Sequence, residues 1–346
     1  MLSNMKDINL IKDPRKILIV KPSSLGDVVH SLPFLNALKT CFPQAAIHWV
    51  IAKGLEGLIE EHPMIDKLWI IHKDTWKKMK QVKSTLSEIR ELFRALKKEK
   101  YDLVIDLQGL LRSGIITVAT GARIRIGFKE SREGSSLFYT HKVTVGKDIH
   151  AVDRYLKIAA FLGCNITEVH FPLYFNSSLI THHSSLSEDY AVIVPGARWT
   201  TKKWPSERFG ELSSLLPVKS IIVGSRSDVN IANEIVSLSN SKSISLAGKT
   251  NLKQLIEVIR GSKFVISNDS GPMHIAAALG IPVFAIFGPT DPLRTGPYGE
   301  GHTIIQEDTS CAPCFKKACD DMKCMKSLRA EKVYKIIKSA NKRSEA

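Results

Sequence analysis

The chain carries no GxxxxGK[ST] loop and no GxGxxG glycine pattern, so ATP hydrolysis and nicotinamide chemistry lose their main sequence support. No uninterrupted apolar run reaches the roughly 20 residues of a membrane-spanning helix, and the polar opening from Met1 to Pro14 lacks the apolar stretch of a secretory signal. A cytoplasmic protein is the expectation. Acidic residues are in short supply, 34 against 49 lysines and arginines, which leaves a formal net charge of +15. The excess covers both halves: 27 basic against 18 acidic residues up to Ile180, and 22 against 16 beyond it. Such a field attracts polyanions, so nucleic acid, an anionic membrane face and phosphorylated substrates are all open. Nucleic acid is the weakest of these, because no aromatic-rich RNP stretch, zinc finger or recognition-helix pattern is present.

Cysteine is scarce too, with six residues in 346. Cys41 and Cys164 stand alone in apolar surroundings and read as reduced core residues. Cys311, Cys314, Cys319 and Cys324 crowd together with the density of a zinc site but without a repeated CxxC pair. A structural metal, a redox-sensitive cluster and plain reduced thiols are all compatible with that spacing.

What is present is an alternation of short β-branched runs with helical periods. Arg15 to Val20 reads as a strand, the following residues as a tight loop, and Val28 to Leu38 as a helix. Ala46–Ile51 and Lys67–Ile71 repeat the strand pattern around a short helix at Leu55–Glu61, and Asp102 to Gly109 is a buried strand ending in polar residues and glycine. From Asn176 to Glu188 the chain turns to serine, threonine and histidine, which marks the domain boundary. The second half restarts with strand Tyr190–Val194 and continues with strands at Ser220–Val223, Phe264–Ser267 and Pro282–Phe287 and helices at Val229–Leu238 and Leu252–Arg260. Two Rossmann-like doubly wound α/β domains in series, 1–178 and 179–346, follow from that order, with the final helix expected to pack back on the first domain. Between Thr75 and Lys100, Trp76, Met79, Val82, Leu86, Ile89, Phe93 and Leu96 recur at helical spacing among lysines and arginines. This basic amphipathic region is either a solvated face over a core stripe or a contact for an anionic acceptor or membrane.

Four stretches carry candidate chemistry. The loop Lys21-Pro22-Ser23-Ser24-Leu25-Gly26-Asp27 follows the first strand, where a doubly wound sheet opens its crevice. Small Ser24 and Gly26 let a substrate approach the backbone. Asp27 is either a general base for an attacking hydroxyl or a helix cap. Gln108 and Asp106 end another strand, and Asp106 is likewise either a ligand contact or a cap. Asn268-Asp269-Ser270-Gly271-Pro272-Met273-His274 lies between a strand and a helix, a ready site for a diphosphate at a helix N-terminus, with Asp269 reserved for sugar hydroxyls or for fixing the loop. The loop from Pro195 and Gly196 to Pro205 offers Lys202 to neutralise charge on a departing diphosphate.

Taken together, Lys21 to Pro33, Lys202-Lys203-Trp204-Pro205, Asn268 to His274 and Phe287-Gly288-Pro289-Thr290-Asp291-Pro292 resemble the lipopolysaccharide heptosyltransferases of glycosyltransferase family 9. The likeness covers nearly the whole chain. It implies a GT-B architecture, two Rossmann-like domains facing across a cleft, and inverting transfer of heptose from ADP-heptose to the Kdo or heptose of a lipid A-anchored inner core. No cofactor and no metal are expected, and the acceptor would be met at the cytoplasmic face of the inner membrane. By correspondence, Asp27 is the base, Gly196, Lys202, Asp269, Ser270, Gly271 and His274 bind the donor, and Ser24, Gly26 and Gln108 lie on the acceptor side. Ala197 and Arg198 stand where some members carry a threonine pair. The cysteine cluster is similar to the second and third heptosyltransferase branches, and the opening loop to the first. Another GT-B transferase, a sugar-nucleotide epimerase and a non-catalytic basic scaffold on a membrane surface are the competing expectations.

Overall fold

The computed structural model describes residues 13–72, 82–146, 148–174 and 189–344, in two compact units, Met1–Tyr174 and Phe175–Ala346. The serine-rich boundary stretch at 176–188 lies outside the described residues. In the first unit, strands β1 (Lys16–Val20), β2 (Ala46–Ala52), β3 (Lys67–Ile71), β4 (Leu103–Asp106), β5 (Ile124–Phe128) and β6 (His141–Val143) form one parallel sheet in the order β3-β2-β1-β4-β5-β6. Ile17 to Val20 are wholly buried, as a central parallel strand covered on both faces requires. Helices α1 (Leu25–His30), α2 (Leu32–Cys41), α3 (Val82–Lys98), α4 (Leu111–Ala119) and α5 (Ala151–Phe161) supply the cover.

The single helix expected from Val28 to Leu38 is two helices. Pro33 has no N–H to continue the ladder and sits in the first turn of α2; the break falls at Ser31, whose hydroxyl donates to Val28 O at 2.7 Å. The short helix expected near Leu55 is a 3₁₀ turn at Glu56–Leu58. Of the basic region, Trp76, Met79 and their neighbours lie outside the described residues. In α3 itself, Leu96 is buried and Leu92 and Phe93 pack on the same core, while Arg90, Arg94, Lys97 and Lys98 are exposed. Just beyond α3, Glu99 bonds Lys16 and Lys67 at 2.7 Å each, tying the starts of β1 and β3 to the helix end.

The second unit repeats the plan. Strands β7 (Tyr190–Val194), β8 (Lys219–Ile222), β9 (Ser243–Ser245), β10 (Phe264–Asn268), β11 (Val283–Phe287) and β12 (Thr303–Gln306) are parallel in the order β12-β11-β10-β7-β8-β9. Helices α6 (Ser206–Leu215), α7 (Val229–Ser237), α8 (Leu252–Arg260), α9 (Gly271–Ala278), α10 (Pro292–Thr295), α11 (Lys323–Lys326) and α12 (Ala330–Ser344) complete it. The final helix buries Val333 and Ile337 in the second unit's core with Trp204, Phe209 and Leu212.

In both units the strand order reverses once, between β1 and β4 and between β7 and β10. Open α/β sheets bind ligands outside the carboxyl ends of the strands at such a reversal. The loops after β1 and β4 hold Asp27 and Gln108, and those after β7 and β10 hold Gly196, Lys202, Asp269 and Ser270. Every candidate loop thus sits beside a switch point of its own unit. No described helix is long and apolar enough to cross a membrane.

Candidate functional site

In the first unit, β1 delivers Lys21 and then the turn into α1. Ser24 is the N-cap of α1, and the Asp27 carboxylate reaches back to it: Oδ2 accepts from Ser24 N at 2.8 Å and from Ser24 Oγ at 2.7 Å. Oδ1 faces the ammonium of Lys21 at 3.9 Å. Gly26 is buried within the turn. From the neighbouring strand end, Gln108 Oε1 accepts from Ser23 N at 3.2 Å, which joins the two loops that flank the reversal.

Asp106 resolves toward the structural alternative. It is fully buried; Oδ1 accepts from Gln108 N at 2.8 Å and Gly109 N at 3.0 Å, and Oδ2 accepts from Tyr139 Oη at 2.7 Å. Burial pushes its carboxyl above the usual range despite these donors. It shapes the turn that carries Gln108.

The helix-cap alternative for Asp27 has an internal control. In the second unit Asp228 makes the same bonds to Ser225, 2.9 Å from Ser225 N and 2.6 Å from Ser225 Oγ. The local device is shared, but the Asp228 side chain is 12% exposed and the Asp27 side chain 41%. Asp228 is also walled in by glycine: a Cβ on Gly196 would lie 2.8 Å from its carboxyl group. Gly196 therefore makes room for a buried scaffold carboxylate, whatever else it meets.

The second unit gathers the remaining candidates around the start of α9. Lys202 Nζ lies 2.5 Å from Asp269 Oδ2, which also accepts from Thr290 Oγ1 at 2.7 Å. The expected division, Lys202 for phosphate and Asp269 for the sugar or the loop, becomes a single pair in which the carboxylate holds the lysine. Ser270 is the N-cap of α9 without a side-chain cap bond, and its hydroxyl lies 3.3 Å from Ser267 Oγ. Gly271 opens the helix, and His274, one turn in, is buried. Asn268, fully buried, ties the strand ends together by donating to Pro195 O at 2.8 Å and accepting from Trp204 N at 3.2 Å.

Four participants were not assigned a role from the sequence. Thr290 follows β11 and completes the Asp269 pair. Trp199 presents its ring to Lys202 at 4.6 Å and to Lys317 at 5.5 Å, and Thr201 donates to Lys316 O at 2.8 Å, so the cysteine-bearing loop is docked against the Lys202 loop. Lys21 was visible only as part of the opening motif. Its burial signal, a lysine between a strand and proline, has no counterpart in periodicity. Of the clustered cysteines, Cys324 is buried and Cys311 and Cys319 are exposed; among the described residues no group of three or more His, Cys, Asp or Glu is arranged to hold a metal ion.

Two six-stranded parallel units with polar loops at both switch points define the GT-B class of glycosyltransferase architecture. Residues 89–325 match the model of glycosyltransferase family 9 (heptosyltransferase). Lipopolysaccharide heptosyltransferase 1 of Pseudomonas aeruginosa is 30% identical, over 88% of this chain and 87% of that protein. The Escherichia coli K12 protein of the same name is also 30% identical, over 84% and 93%. Among solved structures, E. coli heptosyltransferase WaaC with ADP superposes with a TM-score of 0.80 at 27% identity, covering 94% of this chain and 99% of that one. The chain belongs to glycosyltransferase family 9, the heptosyltransferases, and is an enzyme of the glycosyltransferase class.

Proposed function

We propose that this chain transfers heptose from ADP-heptose to the lipopolysaccharide inner core, at a Kdo or heptose hydroxyl, in a single displacement that inverts the anomeric carbon. The observation that carries the reading is the cluster just ahead of α9, where Asp269, itself bonded by Thr290, holds the Lys202 ammonium next to the residue that caps the helix. A helix N-terminus with a fixed ammonium suits a diphosphate. WaaC, with 27% identity, has been solved with ADP and with ADP-2-deoxy-2-fluoro heptose, in keeping with that donor class.

In this reading Asp27 takes the proton from the acceptor hydroxyl as its oxygen attacks the anomeric carbon. The bond to the diphosphate breaks, and ADP departs with its charge against Lys202 and the start of α9. The first unit, 1–178 by the sequence reading, would serve the acceptor through Ser24, Gly26 and Gln108, and the second, 179–346, the donor through Gly196, Ser270, Gly271 and His274 as well. The net charge of +15 and the exposed Arg90, Arg94, Lys97 and Lys98 suit an anionic, lipid-anchored acceptor presented at the cytoplasmic face of the inner membrane.

The test is Asp27→Asn, assayed by product mass with ADP-heptose and truncated core acceptors. Turnover should fall about 10²- to 10⁴-fold with ADP-heptose affinity little changed. Turnover retained in this variant refutes the assignment. Consumption of donor without acceptor would point instead to an epimerase.

A further inference from the structure

Lys21 has no role in the chemistry described so far, yet it is the most completely buried ammonium near the switch point. Its side chain is 3% exposed. The ammonium lies 3.4 Å from Leu107 O, 5.1 Å from the centre of the Tyr155 ring and 3.9 Å from Asp27 Oδ1. Trp49 Nε1 donates to Lys21 O at 3.2 Å, which fixes the backbone beneath it. A lysine taken out of water is strongly destabilising unless an anion compensates it. Two carboxylates are near enough to act on it, Asp27 and Asp106. Asp106 is already engaged by Gln108 N, Gly109 N and Tyr139 Oη. Asp27 gives Oδ2 to Ser24 and turns Oδ1 to the lysine.

We propose that Lys21 is a positioning residue for the transfer reaction: its buried ammonium aims Asp27 Oδ1 and keeps that carboxylate ionised, ready to accept a proton. The inference rests on the reading of Asp27 as the base. A cation beside one oxygen and two Ser24 donors on the other leave the carboxylate oriented at both ends. Burial alone would lower the lysine's own pKa, but Asp27 foremost, then the Tyr155 hydroxyl as a hydrogen-bond partner and Asp106, outweigh it and hold it above the ordinary value. The lysine therefore stays charged at neutral pH.

Other titratable groups act around this pair. Tyr155 comes from α5 and Asp106 from the end of β4, and Arg154, next to Tyr155 in α5, acts on the same phenol; His30, one turn beyond Asp27 in α1, stacks edge-on with His150, the N-cap of α5, at 5.0 Å between ring centres. Burial raises the Tyr155 phenol, so it stays neutral and cannot replace the lysine as a charge. Both histidines are kept in every variant below, so that any contribution they make cancels.

The experiment is the pH profile of kcat for the full-length enzyme, with ADP-heptose and a truncated core acceptor, in Lys21→Met, Lys21→Gln and Lys21→Arg. Removing the charge should move the midpoint of the acid limb upward by about one pH unit in the Met and Gln variants. Lys21→Arg should restore it toward the wild-type position. ADP binding by calorimetry and far-UV circular dichroism check the fold. An acid limb that stays in place in the Met and Gln variants, with Asp27→Asn inactive, overturns the role of Lys21 and leaves the base intact. Asp27→Asn retaining turnover overturns the base reading itself. Failure of all three Lys21 variants to fold would assign the lysine to the core and likewise overturn the inference.

Discussion

Glu99 offers a stability prediction whose size follows from geometry. Its carboxylate meets Lys16 and Lys67 at 2.7 Å each, and these two hydrogen-bonded lysines, against a small opposing effect of burial, bring its pKa from 4.5 down to about 2. A shift of that size corresponds to about 3 kcal/mol at about 1.4 kcal/mol per pKa unit. The lysine side chains are 32% and 43% exposed, so solvent screening reduces the expected value to about 1–2 kcal/mol. Because the folded state binds this proton less readily than the unfolded state, the stabilisation is complete above pH 4.5 and drains away as pH falls toward 2. Glu99→Gln should therefore lower the urea midpoint at pH 7, and the gap to the wild type should shrink to well under half by pH 2.5. Urea titrations followed by circular dichroism at pH 7, 4 and 2.5 measure this. Equal midpoints at pH 7, or a gap that does not change with pH, would refute the electrostatic reasoning.

Two further substitutions probe the second unit. Lys202→Met removes the cation from the mouth of α9 and leaves Asp269 with Thr290 alone; the KM for ADP-heptose should rise about 10- to 100-fold, since bonds to charged groups contribute about 1.5–3 kcal/mol. An unchanged KM would separate Lys202 from the donor. Gly196→Ala places a methyl group 2.8 Å from the Asp228 carboxyl group and should destabilise the unit by about 1–3 kcal/mol through displacement of a packed neighbour. Thermal unfolding that matches the wild type would mean that the loop yields at little cost.

Central strands were legible where apolar residues run without interruption. The central strand Tyr190–Val194 and the helix Leu252–Arg260 appear at the bounds their sequences suggest, as does Lys67–Ile71, an edge strand whose apolar run is nonetheless unbroken. The strands that periodicity passed over lie at or near sheet edges: β6 and β9 have three residues each, β5 carries Arg125 among its apolar positions, and β12 closes the second sheet. An edge strand has one paired side and little burial to demand an apolar run, so its pattern is weak. Candidate loops were legible because they follow the best-defined strands. Their internal wiring was not. Whether Asp106 caps a turn, or Asp269 grips a lysine, depends on partners 33 and 67 residues away in sequence, Tyr139 and Lys202. Local spacing carries no trace of such pairs.

The matching serine–aspartate turns at Ser24–Asp27 and Ser225–Asp228 bear on how a reactive carboxylate can arise in a fold of this kind. A capping aspartate is already immobilised and already held by backbone, so most of the ordering that a proton acceptor requires has been met by the demands of starting a helix. In the second unit, packing around Asp228 keeps that carboxylate for architecture. Each carboxylate also faces a lysine, Lys203 at 4.0 Å from Asp228 and Lys21 at 3.9 Å from Asp27, so the first unit differs in the open side of Asp27 and in the burial of its lysine. The distance between a structural part and a working one is then a matter of what covers a single oxygen atom, and loops at a switch point can exchange that covering without disturbing the sheet beneath.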